Sequence, residues 1–425
     1  MPDEYCPSSA PGAWGGKLIE DRAIVAQVLS AIRRDLGLVV QPELQSPQAR
    51  VRAMMMSDML GHLIAWHREE ADTADERQRF EAHFAIAGEE KQQSADRLQG
   101  LEVDVTPARL EAFLHARLPG WDGAVADTIS RVAAGYSKDT FLFRATRQGT
   151  ALDGVIRRDL PFGPGENSVL DEYELLRALH AAGLPLAEPL WREADPAWLG
   201  QPFIISRRMP GRDGTDAWDQ DESARRGICL QLAGILGRLH SVDPAIMGVP
   251  SRGDPADHIR AYVTQWRDRW QRHRVHASPT LEAAFGWLLD NVPANVARLA
   301  VVHSDVGFHN ILTENGRITA LLDWEFSHPG DPAEDLGYCR LSVEKLMPWN
   351  QFLAAYEAAG GAPYSEDSAK FYEVWRGVRN AVCCSVAWNG FLRDWYPALK
   401  MGYQGVPLYR RFVLDVADRL ERATA

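Results

Sequence analysis

Apolar positions recur at two different periods along this chain, and the change from one to the other divides it. Ile24, Val25, Val28, Leu29, Ile32 and Leu36 fall at three- and four-residue steps, the spacing of one helix face. A second helix carries Val51, Met54, Met55, Leu60, Leu63 and Ile64, with Met54-Met55-Met56 read as core filler. A third, more polar one runs from about Asp75 to Leu98. Residues 1–16, rich in Pro, Ser and Gly, read as a disordered lead-in, and 17–105 as a helical accessory region. Thr106-Pro107 then opens a helix through Leu118, since Thr caps and Pro fits the first turn.

Beyond it the pattern becomes that of strands. Thr128–Val132, Lys138–Phe143, Gly154–Arg158 and Phe203–Arg207 are short β-rich runs, with one helix beginning near Asp171. From Asp221 helical spacing returns: Leu230 to Leu239 line one helix, and Tyr262, Trp266 and Trp270 form a packing stripe on another. Val301-Val302, Ile311-Leu312 and Ile318–Leu322 are again strands, the last two joined by a hairpin turn at Asn315-Gly316. The fold class expected is α+β.

The chemistry gathers in VVHSDVGFHNILTENGRITALLDWEF, from Val301 to Phe326. Two carboxylates, Asp305 and Asp323, and one amide, Asn310, sit at the ends of these strands. Phosphoryl transfer uses that set: one carboxylate to orient the attacking hydroxyl and accept its proton, an amide oxygen and a second carboxylate to hold Mg²⁺. The interval from Asp305 to Asn310 is that of the kinase catalytic loop, and Asp323 falls where its metal-binding Asp follows.

His303-x-Asp305, Asn310 and Leu-Leu-Asp323-Trp-Glu, followed by Gly330-Asp331-Pro332 and Glu334-Asp335-Leu336, resemble the aminoglycoside phosphotransferase/choline kinase superfamily, nearest to its acyl-CoA-dehydrogenase-associated bacterial members. The resemblance implies a protein-kinase-like bilobal fold, with an antiparallel β N-lobe over 106–209 and a mainly helical C-lobe over 210–425 behind the helical extension. It makes Asp305 the catalytic carboxylate, Asn310 and Asp323 the Mg²⁺ ligands, and His303 a support of the loop. Ser304 stands where the family usually has Gly. Gly135, Ser137 and Lys138 fall in its phosphate loop, with Ala134 replacing a Gly and Lys138 an Asn. Arg157 takes the place of the phosphate-gripping lysine, with Glu172 as its partner and Glu174 the rival. Ser206, Arg207 and Met209 lie in the nucleotide hinge, and Arg207 in place of the family's Glu leaves ATP or GTP open. His240 and Asp331 read as structural.

Composition narrows the partners. The net charge is −12 and the pI about 5.5, which speaks against a nucleic-acid footprint. The five cysteines lack zinc-site spacing, and no signal peptide or membrane-length apolar run is present, so a cytoplasmic protein is expected. The acceptor site is expected in the last ninety residues, whose aromatics are mixed with Arg376, Arg379, Arg393 and Lys400. That mixture suits an uncharged or anionic hydroxylated acceptor, such as a hydroxyacyl thioester, better than a polycationic aminoglycoside. An antibiotic kinase and a non-catalytic nucleotide-binding module stand as alternatives, and a homodimer is left open.

Overall fold

The Thr106 hydroxyl accepts from the Arg109 N–H, and the helix it caps, Pro107–Arg117, is the first element of the N-lobe. A computed structural model describes residues 29–34, 36–40, 44, 47–68, 104–132, 137–164, 167–214, 221–248, 253–396 and 398–424. The lead-in, most of the first expected helix, all of the third and Gly135 lie outside the described residues. Residues 29–34 are helical, and the second helix is α1 (Pro47–Arg68). On it Met55 is buried, whereas Met54 and Met56 are exposed, so the methionine cluster straddles two faces and only its middle residue is core.

The N-lobe follows α2 (Pro107–Arg117) with β1 (Val125–Arg131), β2 (Asp139–Arg147), β3 (Thr150–Arg158), α3 (Val169–Ala181), β4 (Pro189–Glu193) and β5 (Phe203–Arg207). The strands form one antiparallel sheet in the order β1-β2-β3-β5-β4. Side chains alternate across it. Phe141, Phe143, Ile156, Phe203 and Ile205 face Leu110, Phe113 and Leu114 of α2 and form one core. Arg157, paired in register with Thr140 and Ile204, lies on the opposite face. That face, with Ile204, continues into a second core shared with α3 and the C-lobe.

The C-lobe contains a short β6 (Arg212–Asp213), then α4 (Glu222–Leu239), α5 (Pro255–His273), α6 (Pro279–Asp290) and β7 (Ala300–Val302). Next come β8 (Ile311–Glu314), β9 (Arg317–Leu321) and β10 (His328–Gly330). Five helices close the chain: α7 (Ala333–Val343), α8 (Trp349–Ala358), α9 (Glu366–Leu392), α10 (Leu399–Tyr403) and α11 (Tyr409–Thr424). Glu314 pairs with Arg317, and Asn315 and Gly316 both take positive φ, as the two-residue hairpin requires. The aromatic stripe of α5 packs on α9, where Trp266 meets Trp375 edge to face at 5.9 Å. Among the described residues no helix is long and apolar enough to cross a membrane.

Beside the core that they share, the lobes are tied at several points, two of them at opposite ends of the sheet. The hinge is anchored where Thr319 Oγ1 of β9 donates to Pro210 O at 2.6 Å. On the far side Lys400 of α10 lies 3.5 Å from Asp139 at the start of β2, a carboxylate that also takes Arg131 at 2.5 Å and Arg158 at 3.0 Å. Phe162, in the loop after β3, presses so closely on Gly390 of α9 that a Cβ there would sit 2.2 Å from its ring. In turn α1 covers α10: Met59 touches Gly402, and Tyr403 Oη bonds Asp58 at 3.4 Å.

Candidate active site

The catalytic loop leaves β7 at His303 and is held from beneath by Asp335 of α7. This fully buried carboxylate accepts the His303 N–H at 2.8 Å, the Ser304 N–H at 2.6 Å and His240 Nε2 at 3.0 Å. Burial would raise its pKa, but these bonds and the His240 ring keep it below the ordinary carboxylate value. His303 shares a 2.8 Å bond between Nε2 and Leu322 O and packs on Trp324 at 4.5 Å. It thus joins the loop to the strand leading to Asp323. His240, whose Nδ1 meets Tyr356 Oη at 2.9 Å, and Asp331, which caps Ala333 N–H at 2.9 Å, make internal contacts of the same structural kind.

Asp305 lies above this base. Asn310 Nδ2 donates to its Oδ2 at 2.7 Å and to its backbone carbonyl at 3.0 Å. With the amide nitrogen so engaged, Asn310 Oδ1 is the atom left for a cation. Three further groups surround the carboxylate. Arg379 of α9, 1 % exposed, brings Nη2 to 4.0 Å, and His309 Nε2 lies at 3.9 Å. The Tyr338 hydroxyl hydrogen-bonds it. Burial alone would push Asp305 up; His309, Arg379 and Tyr338 more than reverse this and hold it well below the usual carboxylate range. The same pairing raises the His309 pKa.

Asp323, two residues past β9, lies in the left-handed region at φ 66°, a conformation Asp tolerates better than most residues. The Leu322 N–H donates to Asn310 O at 2.8 Å, which sets Asp323 beside Asn310. Its carboxylate accepts Arg157 Nη2 at 2.9 Å. Arg157 also lies 3.2 Å from Glu172 and 3.9 Å from Glu325. The expected Arg157–Glu172 pair therefore forms, while Glu174 points to the surface with Arg177 and Arg192. Three carboxylates around one guanidinium leave an excess of negative charge. Burial and the charges of Asp323 and Glu172 push Glu325 up to about 8, Arg157 and Ser137 pulling the other way. Glu172 is raised as well, chiefly by burial. Both Glu172 oxygens and Glu325 Oε2 are buried without a hydrogen-bond partner, which fits a site that binds a cation. Among the described residues no group of His, Cys, Asp and Glu could hold a metal unaided. Asn310 Oδ1 and Asp323 would be completed by phosphate oxygens and water.

Other expected nucleotide residues are distributed differently. Ser137 lies near enough to Glu325 to favour its charged form. Lys138 does not face a nucleotide. Its ammonium is buried, donating to Asp159 Oδ1 at 2.7 Å and Asn167 O at 2.5 Å, because a cation turned inward here meets a carboxylate and a carbonyl. Ser206 is buried opposite Val155, on the face that carries Arg157, and Met209 is half-buried. The Arg207 side chain is a correction too: it turns to the surface and pairs with Glu188 at 2.8 Å, leaving only its backbone in the hinge.

Sequence alone marks Glu325 as charge for ordering the loop and Arg379 as an acceptor-site cation, and it marks neither Tyr338 nor His309. Glu325 stands two residues after Asp323, which was a usable signal; Arg379 lies in the middle of a long apolar helix, which was not. Next to the Asp323–Glu325 segment is a cavity of about 270 Å³. Tyr262, Trp266 and Phe326 form its aromatic walls, and Asn167, Gln265 and Ser327 are among its polar ones. None of its lining comes from the last ninety residues; Phe352, Tyr356, Phe371, Tyr372 and Trp375 of that segment are core.

An antiparallel N-lobe hinged to a helical C-lobe, with this loop between them, defines the class: a protein-kinase-like phosphotransfer fold. The profile of the phosphotransferase enzyme family matches residues 128–372, more than half of the chain, and the chain belongs to that family. Acyl-CoA dehydrogenase family member 11 of Mus musculus is 27% identical over 315 residues, 72% of this chain and 39% of that protein. This chain therefore spans about two fifths of that relative's length. A homoserine kinase of Sinorhizobium fredii is 25% identical over 289 residues, covering 63% of this chain and 80% of the enzyme. The crystal structure of a Ralstonia eutropha JMP134 protein assigned to the aminoglycoside phosphotransferases superposes with a TM-score of 0.57. Its identity is 20%, over 75% of this chain and 98% of that one, a likeness of fold.

Proposed function

We propose that this chain transfers the γ-phosphoryl group of ATP, with Mg²⁺, to a hydroxyl of a small molecule. The observation that carries the reading is the convergence of Asp305, Asn310, Asp323 and the Arg157–Glu172 pair in one interlobe cleft. The nucleotide would lie on the sheet face bearing Arg157 and Ser206, its base edge against the hinge backbone from Ser206 to Met209, its phosphates under the loop of Gly135 and Ser137. GTP fits the same backbone contacts. Bound Mg²⁺ would neutralise phosphate charge at Asn310 Oδ1 and Asp323.

Asp305 orients the acceptor hydroxyl by accepting its hydrogen bond. A carboxylate held so acidic is a weak base, so it takes the proton late, when bond formation to phosphorus has already made the hydroxyl acidic. Arg157, oriented by Glu172, would bind the phosphates, and Asp323, which it now contacts, would be available to hold Mg²⁺.

For the acceptor we favour an uncharged or anionic hydroxylated molecule, such as a hydroxyacyl thioester. The cavity beside Glu325 supports this: its walls are aromatic, it includes Arg269, and burial drives its one carboxylate toward the neutral form. The acyl-CoA dehydrogenase name of the relatives points the same way. An aminoglycoside would need several carboxylates there. A non-catalytic nucleotide-binding module is the other reading, and the intact Asp305 and Asp323 speak against it. The site is read as that of a cytoplasmic enzyme acting alone or as a homodimer.

The test is mass-spectrometric detection of ATP-dependent phosphorylation in pools of hydroxyacyl-CoA esters, aminoglycosides, macrolides and amino alcohols, with Asp305→Ala as control. Transfer to the hydroxyacyl-CoA pool by the wild type alone is expected. Transfer to aminoglycosides alone would replace the acceptor class, and Mg-ATP binding without transfer to any pool would favour the module.

A further inference from the structure

Ser304 precedes Asp305 and is fully buried with φ 68°, in the left-handed region that a glycine enters without penalty and a residue with a Cβ does not. The backbone bonds that hold it there, from its own N–H and that of His303 to Asp335, are ones a glycine would make equally well. What serine adds is the hydroxyl, and Oγ lies 3.1 Å from His328 Nδ1 of β10. His328 is itself firmly placed. Its ring stacks on Tyr262 at 3.9 Å, its Nε2 is 3.3 Å from Glu334, and it forms a wall of the cavity beside Glu325.

We infer that the Ser304–His328 pair is a positioning element for the reaction, fixing the direction of Asp305 relative to the cavity that receives the acceptor. The inference rests on the phosphotransfer reading above. A strained serine in this loop is kept because its hydroxyl couples the loop to the acceptor wall. Ser304 acts through Asp305 and touches no reacting atom.

Stability and function should then separate in the Gly variant and fall together in the Ala variant. Ser304→Gly removes the conformational cost and the hydroxyl together; Ser304→Ala removes only the hydroxyl and keeps the cost. Relative to wild type, the Gly variant should show an unchanged or higher Tm and the Ala variant a lower one. Both should lose Mg-ATP turnover, assayed with water as the acceptor, by about tenfold or more, without a change in KM for ATP. Amide hydrogen exchange over residues 303–310 should quicken in both. His328→Phe keeps the stack on Tyr262 and the strain at Ser304, so it should reproduce the turnover and exchange of Ser304→Ala, and the Ser304→Ala/His328→Phe double variant should turn over no more slowly than either single one. Wild-type turnover and wild-type exchange in Ser304→Gly would overturn the inference, as would additive losses in the double variant. A wild type that turns over no Mg-ATP would count against the phosphotransfer reading; the exchange rates, which need no activity, would still decide whether the hydroxyl positions the loop.

Discussion

The two ends of the cleft are charged in opposite senses. Around Asp305 the donors and cations outnumber the acceptor: Asn310, His309, Tyr338 and Arg379 converge on a single carboxylate and depress its pKa. Around Arg157 the carboxylates outnumber the cation: Glu172, Asp323 and Glu325 crowd one guanidinium, and two of them are raised. The groups beside Asp305 stabilise its charge, whereas Glu325 is crowded by like charges. A carboxylate so surrounded stays charged, and carboxylates crowded together gain when a cation arrives. In the proposed reaction, orientation of the acceptor and capture of the nucleotide would then fall to different ends of the cleft.

The sharpest break of this contrast is Asp305→Ala, which should cut phosphoryl transfer by about 10²–10⁴-fold while calorimetric ATP affinity stays unchanged. Asp323→Ala strikes the other end. It should abolish the difference between ATP titrations run with Mg²⁺ and with EDTA, a loss of at least about tenfold in metal-dependent affinity. Arg379→Met strips a cation from the Asp305 end. It should cost about 3 kcal/mol or more in denaturant unfolding, since it leaves buried carboxylates uncompensated. The acidic limb of kcat should also move to higher pH, because Asp305 loses a group that lowers its pKa.

A smaller effect is expected from Glu325→Gln. The folded carboxyl is raised from 4.5 to about 8, so the folded protein retains a proton that the unfolded chain releases. The stability this confers is full below the unfolded pKa and disappears as pH rises through the folded one. Nucleotide-free wild type should therefore lose Tm between those two values more steeply than the Gln variant; parallel Tm curves would remove Glu325 from the charge excess. Least of all, Arg207→Ala breaks only an exposed pair with Glu188, worth about 1 kcal/mol at most. Turnover and ATP affinity should both be retained, since the hinge contributes backbone.

How much of this could be read from the chain depended on whether the signal was local. The hairpin at Asn315-Gly316, the cap at Thr106 and the alternation of β2 and β3 are neighbour effects, and the structure contains each. Position along a motif was legible for Arg157 and Glu172 because strand register and the first turn of α3 fix where those side chains go. Direction was not legible for Lys138 and Arg207. A motif gives the place of a residue but not whether Asp159 or Glu188 waits beside it. Arg379 was visible only as a charge among aromatics of α9. Its meeting with Asp305 depends on how α9 packs against the catalytic loop, which no local pattern encodes.

The contact of Lys400 with Asp139 has a mechanical consequence. A body joined to another at one hinge can swing like a door; each further joint set away from that hinge opposes part of the swing. The N-lobe is fixed to the C-lobe through Pro210 and, on its far side, through Asp139 and Lys400. Opening of the cleft that parts Asp139 from Lys400 is opposed while that pair holds. The helix Pro47–Arg68, which covers the segment bearing Lys400, therefore bears on how far the cleft can open without touching a residue of the site.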